Sequence, residues 1–303
     1  MLAAGLLAGC SDSDDNDKPT DEDTPQQEIH LDADIWQVME GTRTTTYDNA
    51  TALRTEGSFT CAVYQANTTT AYVSPTAVNW SEAEWLFSDG KHYWPASGSL
   101  DFFAYLPATP PTYITTGPTY SVADSNDDVI DTHTVTFACA EVTTSAEAEF
   151  ICALALDQDK AGTNNTTQPT AGQVALTFHH PFATVNFLLS AASGSNVTVN
   201  SITLTDIYQT ATCTFDGTTS TWTSHDNANI FSANIGGNYI VIPNNYGTKT
   251  LTVNATWNDW STVTKDISAS ISIDWQAGTR YTYTLTLKKY ALTVDTEKYT
   301  EQW

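Results

Sequence analysis

Apolar and polar residues alternate along most of the chain from residue 29 onward, with the two-residue period of a half-buried β-strand. Ile29, Leu31, Ala33 and Ile35 form the first example. Further alternating or short apolar segments form two series, Thr60–Gln65, Leu100–Leu106, Thr134–Glu141 and Phe150–Leu156, then Val174–Phe178, Ala183–Leu189, Val197–Leu204, Ala211–Phe215, Tyr239–Ile242, Thr250–Trp257, Ile267–Ile273 and Arg280–Leu287. Because turn-forming residues separate these short segments, the pattern predicts an all-β protein built from sandwiches or barrels.

The segment Asp157–Gly172 divides the two series. It is rich in Asn, Thr and Gly and contains Pro169, a composition typical of a loop. A chain of 303 residues also exceeds what one small sandwich needs. We therefore predict an N-terminal β-sandwich over residues 29–171 and a C-terminal β-sandwich over residues 172–303.

The first 28 residues differ from the rest of the chain. Residues 1–10 are small and apolar and end in Leu7-Ala8-Gly9-Cys10, which reads as a lipobox and predicts lipidation of Cys10. The basic residues that usually open such a signal are missing, and the alternative is a cytosolic N-terminus. Residues 11–28 are strongly acidic and lack aliphatic and aromatic residues, so we expect a disordered tether. Aspartates directly after a lipidated cysteine resemble an export signal, which predicts a lipid-anchored lipoprotein exposed on the cell outer membrane.

Composition narrows the classes of partner. Hydrophobic residues make up 41% of the chain and charged residues only 15%, against about 25% in an average soluble domain. The formal net charge is −24, from 35 acidic and 11 basic residues, which argues against nucleic acid as a partner. No later stretch approaches the ~18 apolar residues of a membrane span, so the mature protein is predicted to be anchored and not inserted.

Motifs for catalysis, metals and cofactors do not occur. The sequence has no G-x-S-x-G, no H-E-x-x-H and no phosphate-binding glycine loop, so no enzymatic activity and no cofactor are predicted. His179 and His180 would point to opposite faces of a strand and make a poor metal-chelating pair. Four cysteines besides Cys10 remain, and spacing alone does not decide whether they pair or act as small buried residues.

Four motifs, in this order along the chain, resemble the fimbrillin family. They are residues 93–107 (YWPASGSLDFFAYLP), 174–185 (VALTFHHPFATV), 239–243 (YIVIP) and 275–283 (WQAGTRYTY). The resemblance implies two tandem transthyretin-like β-sandwich domains and a fimbrial subunit or anchored adhesin. It implies other fimbrial subunits, or further copies of this chain, as partners, with a host or microbial glycan or protein as the adhesion ligand.

The resemblance also implies a mode of assembly. In fimbrillins an Arg-specific protease removes the first strand, and a strand from a neighbouring subunit replaces it. The chain has three arginines, Arg43, Arg54 and Arg280, and Arg43 follows the predicted first strand in the turn-like sequence Gly41–Thr44. Arg43 is therefore the candidate processing site, and a plain surface arginine beside a retained first strand is the alternative.

The C-terminus supplies a candidate donor strand. The apolar phase changes after Leu287, so that Tyr290, Leu292 and Val294 alternate out of register with the preceding strand. Either a bulge turns the chain within the fold or residues 290–303 form a separate strand that a subunit donates, with these three side chains pointing inward.

A glycan-binding surface module is the competing hypothesis. The nine tryptophans and fourteen tyrosines are enough for an aromatic platform, and Trp257 and Trp260 flank a predicted loop. The alternative is that these rings fill the core, as most aromatic residues of β-sandwiches do. The exposure of the two tryptophans distinguishes these interpretations.

Overall fold

The computed structural model describes residues 26–35, 50–123, 132–142, 149–162, 172–191, 196–258, 261–288 and 291–300. These ranges contain one short helix, α1 (Ala50–Glu56), and seventeen strands. The strands are β1 (His30–Ile35), β2 (Ser58–Gln65), β3 (Ala71–Ser81), β4 (Glu84–Phe87), β5 (Leu100–Leu106), β6 (Ile114–Ala123), β7 (Thr132–Cys139), β8 (Ile151–Gln158), β9 (Gln173–Phe178), β10 (Ala183–Ala191), β11 (Val197–Phe215), β12 (Ser220–Ala233), β13 (Asn238–Val241), β14 (Asn244–Asn258), β15 (Thr262–Trp275), β16 (Thr279–Lys288) and β17 (Ala291–Thr300). The all-β fold class is confirmed. No helix in the described ranges is long and apolar enough to cross a bilayer.

The strands form three sheets. The first has seven strands in the order β8-β5-β2-β3-β4-β1-β9. The second has four strands in the order β13-β10-β16-β17, and the third has the order β15-β14-β11-β7-β6, with β12 also paired to β11. The first sheet curls until its two end strands meet, since Cys152 on β8 and His179, directly after β9, exchange backbone hydrogen bonds of 3.2 and 2.8 Å.

Strand β9 lies in the first sheet, although the sequence analysis placed residues 174–178 at the start of the second sandwich. It pairs in parallel with β1 along its whole length, and its three inward side chains are almost fully buried in the same core as those of β1. Sequence motifs do not specify pairing between segments so far apart along the chain. The chain leaves the first sheet at His179 and enters the second at Ala183.

Strand β11 connects the two halves of the molecule. Val197–Leu204 pairs with β14, whereas Ala211–Phe215 pairs with β7 from the first half. The sequence predicts two strands here, but they join into one strand of 19 residues because a bulge at Asp206, with φ of 58°, lets pairing with β12 continue. Since one sheet contains strands from both halves, the division at residue 172 stays a prediction.

Three apolar cores stabilise these sheets. Strand β5 is buried on both faces, because Phe102 packs into the first core while Phe103 packs into another on the opposite face. This explains why the predicted segment Leu100–Leu106 is apolar without alternation. The remaining core lies between the second sheet and the strands β11, β12, β14 and β15, and contains Trp257 and Trp275.

Short polar side chains cover the exposed faces. On β14 and β15, Thr252 and Ser268 lie 2.9 Å apart, and Thr256 and Thr264 lie 2.8 Å apart, oxygen to oxygen. Such cross-strand pairs stabilise a sheet and keep its exposed face hydrated without long charged side chains. They make the exposed faces of β14 and β15 polar, although only 15% of the residues of the chain are charged.

Candidate functional site

The first strand lies inside the first sheet, between β4 and β9. It forms six consecutive residue pairs with β9, from His30 with Gln173 to Ile35 with Phe178, but only one with β4, Leu31 with Trp85. Its attachment to the sheet therefore depends mainly on one parallel neighbour. Removal of β1 would open a groove between β4 and β9.

Alternate side chains of β1 fill the core beneath it. Leu31, Ala33 and Ile35 are 6%, 1% and 2% exposed. They belong to a core that also contains Leu53 of α1 and Phe178 of β9, both fully buried. Full burial of each large aliphatic side chain contributes roughly 1.5–3 kcal/mol, so an empty groove would be costly.

Residues just before β1 are fastened to the β4–β5 connection. The Ile29 N–H donates to the His92 carbonyl oxygen at 2.8 Å, and the Trp94 N–H donates to the Gln27 carbonyl oxygen at 2.9 Å. The Glu28 carboxylate pairs with the Lys91 ammonium group. These contacts fix the register in which β1 enters the sheet.

Gly172 also contacts the segment that leads into β1. Its carbonyl oxygen accepts hydrogen bonds from the His30 N–H at 3.0 Å and from Trp94 Nε1 at 3.2 Å. Its φ is 83°, in the region that favours glycine, and a Cβ atom here would overlap the Gln27 side chain. Glycine thus permits the close packing of the pre-strand segment.

The three arginines have different environments. Arg43, the predicted processing site, lies outside the described residues, in the stretch 36–49 that connects β1 to α1. Arg54 is exposed on α1, and its guanidinium carbon lies 4.7 Å from the centroid of the Trp80 ring. Arg280 is only 8% exposed on β16, which makes it a poor protease site.

The C-terminal strand β17 is packed within this chain. It pairs with β16 from Thr279–Thr300 to Lys288–Ala291, and it is the end strand of the second sheet as described. Leu292 and Val294, two of the predicted donor residues, are half-buried against the core of that sheet. The third, Tyr290, lies outside the described residues, as does the lipidation site Cys10. A two-residue connection between β16 and β17 explains the change of apolar phase.

The structure argues against the predicted glycan platform at Trp257. Its side chain is 2% exposed because it packs in the core between β11, β14 and β15. Trp260 lies outside the described residues. A ring without accessible surface cannot stack on a ligand, and Trp257 is a core residue.

A polar cleft, which the sequence analysis did not identify, lies where the two halves meet. Its volume is about 450 Å³. Five segments line it: the β9–β10 connection with His179 and His180, the β11–β12 turn, the start of β12 with Trp222 and His225, the β13–β14 corner, and the β15–β16 turn with Asp274 and Gln276. The sequence shows the adjacent histidines as a poor chelating pair within one family motif and residues 275–283 as another motif, but their approach to the other segments depends on the fold.

Buried ionisable groups lie next to the walls of this cleft. His180 Nδ1 lies 2.9 Å from Glu149 Oε1, and both side chains are about 5% exposed. Burial lowers the pKa of His179 to about 4, with a further contribution from the neighbouring His180. His179 is therefore neutral near pH 7.

The four described cysteines are buried and unpaired. Burial raises the pKa of Cys139 to about 12, and it also raises the pKa values of Cys61, Cys152 and Cys213. Protonated, inaccessible thiols are poor nucleophiles and poor metal ligands. In the described ranges, no group of three His, Cys, Asp or Glu side chains is arranged to hold a metal ion.

Comparisons with known proteins identify the family and support the fold. A sequence model described as fimbrillin-like matches residues 42–303. A fimbrial protein from Bacteroides vulgatus aligns with a TM-score of 0.59 and 16% identity over 91% of this chain and 100% of that one. A protein from Bacteroides uniformis assigned to cell adhesion aligns with a TM-score of 0.55 and 15% identity over 91% and 99% of the two chains. No curated protein sequence matches significantly.

Proposed function

The chain belongs to the fimbrillin-like family, and on this premise we propose that it is a cell-surface fimbrial or adhesion protein that assembles by exchange of β1. Such a role needs no catalysis. The observation that carries the proposal is the position of β1, which lies inside a sheet but pairs extensively with only one neighbour. A strand held in this way can be replaced by an equivalent strand without rebuilding the rest of the sheet.

Cleavage after Arg43 is the proposed first step. The stretch 36–49 is the covalent connection between β1 and α1, so a cut there leaves β1 attached to the subunit by non-covalent contacts alone. Loss of β1 would leave the backbone groups of β9 and the pockets of Leu31 and Ile35 without partners. Exposed apolar pockets and shielded backbone groups without hydrogen-bond partners are both costly, so the trimmed subunit would bind a replacement strand.

Residues 290–303 are the proposed replacement, donated by a neighbouring subunit. As the end strand of its sheet, β17 can leave without splitting that sheet. Tyr290, Leu292 and Val294 alternate as the side chains of β1 do, which is the pattern that a β-groove selects.

Lipidation of Cys10 and outer-surface anchoring by residues 11–28 complete the proposal. The family places such proteins at the cell surface, and the sequence supplies the lipobox and the acidic tether. Replacing Cys10 by Ser should release the protein from the membrane fraction. Unchanged membrane association of the Cys10→Ser protein would contradict lipid anchoring.

Limited digestion with an Arg-specific protease tests the assembly step. We expect cleavage after Arg43, identified by mass spectrometry, followed by oligomers that size-exclusion chromatography detects. The Arg43→Ala protein should lose the cut after residue 43 and stay monomeric, whereas the matched Arg54→Ala protein should behave as wild type. Deletion of residues 290–303 should abolish the oligomers but not the cleavage. Resistance of Arg43 in the folded protein, or oligomers that survive the deletion, would contradict the proposal.

A further inference from the structure

We propose that the cleft between the two halves binds a short neutral oligosaccharide. This inference extends the adhesion role to a ligand, but it does not depend on strand exchange, because the cleft is complete in the uncut chain. The volume of about 450 Å³ lies within the range of roughly 300–1,000 Å³ typical of small-molecule sites. It is therefore large enough for a compact polar ligand and too small for a folded partner.

The aromatic wall of the cleft is formed by Trp222, whose position is fixed and whose hydrogen-bond donor is already used. Trp222 is half-buried, and its Nε1 already donates to the Pro181 carbonyl oxygen at 2.9 Å. Its ring packs against Phe182, with centroids 4.8 Å apart. The accessible part of Trp222 is consequently a rigid carbon surface, which suits the apolar face of a sugar ring.

The opposite walls supply short polar groups on fixed turns. Asp274 Oδ1 accepts a hydrogen bond from Gln276 Nε2 at 2.7 Å, so the two side chains orient each other. In the β11–β12 turn, Asp216 Oδ1 accepts hydrogen bonds from the backbone of Thr218 and Thr219 at 2.9 and 2.6 Å. Pre-ordered carboxylate, amide and hydroxyl groups around an aromatic ring provide the donors and acceptors that vicinal hydroxyls require.

His225, which also lines the cleft, carries a buried ring nitrogen. Nε2 of His225 is shielded from water and has no hydrogen-bond partner. An unpaired buried atom of this kind costs free energy, and a ligand hydroxyl would offset that cost if the ring turned towards the cleft. The side chain as a whole is half-buried and lines the cleft, so a ligand can approach it.

The charge of the lining selects a neutral ligand. Asp274 is the one carboxylate among the lining residues, and Lys and Arg are absent from them. His179 is neutral near pH 7, and His180 is occupied by Glu149. An anionic sugar would meet no cation, and a basic peptide would find one carboxylate.

Binding is tested with the uncut full-length protein on an array of neutral and acidic oligosaccharides, followed by calorimetry with the best neutral ligand. We expect binding of neutral di- to tetrasaccharides, quenching of tryptophan fluorescence, and at least tenfold weaker binding for Trp222→Ala and for Gln276→Ala. Gln276 is exposed, so Gln276→Ala should fold normally and separates lost contacts from lost structure. Thr248→Ala, on an exposed residue outside the cleft, is the matched control and should bind as wild type.

Binding that survives both cleft substitutions would overturn the proposal, as would selective binding of acidic sugars, binding of peptides alone, or no binding to the array. Because the Arg43→Ala protein keeps the complete cleft, it should retain sugar binding even though it cannot assemble. Loss of assembly and loss of sugar binding are therefore distinguishable.

Discussion

Truncation of Leu31 to Ala tests directly whether the core contacts of β1 hold it in its sheet. The Leu31 side chain is 6% exposed and belongs to the core shared with Phe178 and Leu53. Large-to-small substitution at such a site costs about 2–5 kcal/mol, because transfer free energy is lost and a cavity remains. The backbone pairing of β1 with β9 is unchanged by this substitution. The loss therefore reports on side-chain burial alone.

His30→Ala is the matched control on the same strand. His30 is exposed, and its backbone N–H, which donates to the Gly172 carbonyl oxygen, is retained. Substitution of an exposed residue of this kind usually changes stability by less than about 0.5 kcal/mol. Both substitutions introduce alanine at neighbouring positions of β1, so their comparison isolates the effect of side-chain burial.

Urea unfolding of the uncut proteins measures the cost, and peptide release from the cut proteins measures its consequence. A cost of even about 2 kcal/mol corresponds to more than tenfold weaker retention, since ~1.4 kcal/mol is tenfold. After cleavage at Arg43, the peptide that contains Leu31→Ala should leave the subunit at least tenfold faster than the His30→Ala peptide, measured by size-exclusion chromatography with mass detection. Equal unfolding free energies, or equal release rates, for the two variants would refute the reasoning.

Three further substitutions test other parts of the structure. Gly172→Ala should lower the unfolding free energy by about 1–3 kcal/mol, because alanine is strained at this φ and overlaps Gln27. Adding Gln27→Ala should restore the part of the stability that the overlap costs, and no recovery in urea unfolding would contradict that contact. The folded-state pKa of His179 is lowered to about 4, so the folded protein favours the neutral ring. The free energy of unfolding should therefore be unaffected by this residue above about pH 6.5 and should fall by up to about 3 kcal/mol as the pH falls towards 4. His179→Asn should flatten the dependence of stability on pH over that window, and an unchanged slope would contradict this prediction. Tyr120→Phe removes a hydroxyl that lies 2.6 Å from the fully buried Asp101 carboxylate and 2.7 Å from His133 Nδ1, and it should cost about 1–3 kcal/mol. A thermal unfolding midpoint equal to wild type would show that these contacts are not stabilising.

Strand positions are the part of the fold that sequence patterns predicted best. Segments with one buried face alternate clearly, as in β7 and β9, and both were predicted close to their observed bounds. Strand β12 was missed because Ser220–Ala233 consists largely of short polar residues and pairs with β11 alone among the described strands. Helix α1 was also missed, since seven residues with one fully buried side chain, Leu53, leave little periodic signal.

The sequence patterns did not predict which strands pair with each other. The alternation of Ile29–Ile35 predicted a strand, but nothing local indicates that its neighbour is β9, far along the chain and parallel. The aromatic residues show the same limit, because Trp257 and Trp222 both lie near turns in the sequence. Only the packing of β11, β14 and β15 buries Trp257, and only the approach of the β9–β10 connection places Trp222 in a cleft.

The energetic direction of the proposed exchange follows from comparing where the two strands lie. Leu292 and Val294 are half-buried on an end strand, whereas Leu31 and Ile35 occupy positions less than 10% exposed inside a sheet. Transfer of the C-terminal strand into the groove of a neighbour would therefore increase the apolar area removed from water. The opposing cost is the edge of β16, which loses its pairing partner. The tightest point is the position of Ala33, where the pocket accommodates a methyl group and the donor offers none smaller than valine among its three inward residues. In the proposed exchange, the donor would therefore have to shift its register or widen the groove at this position.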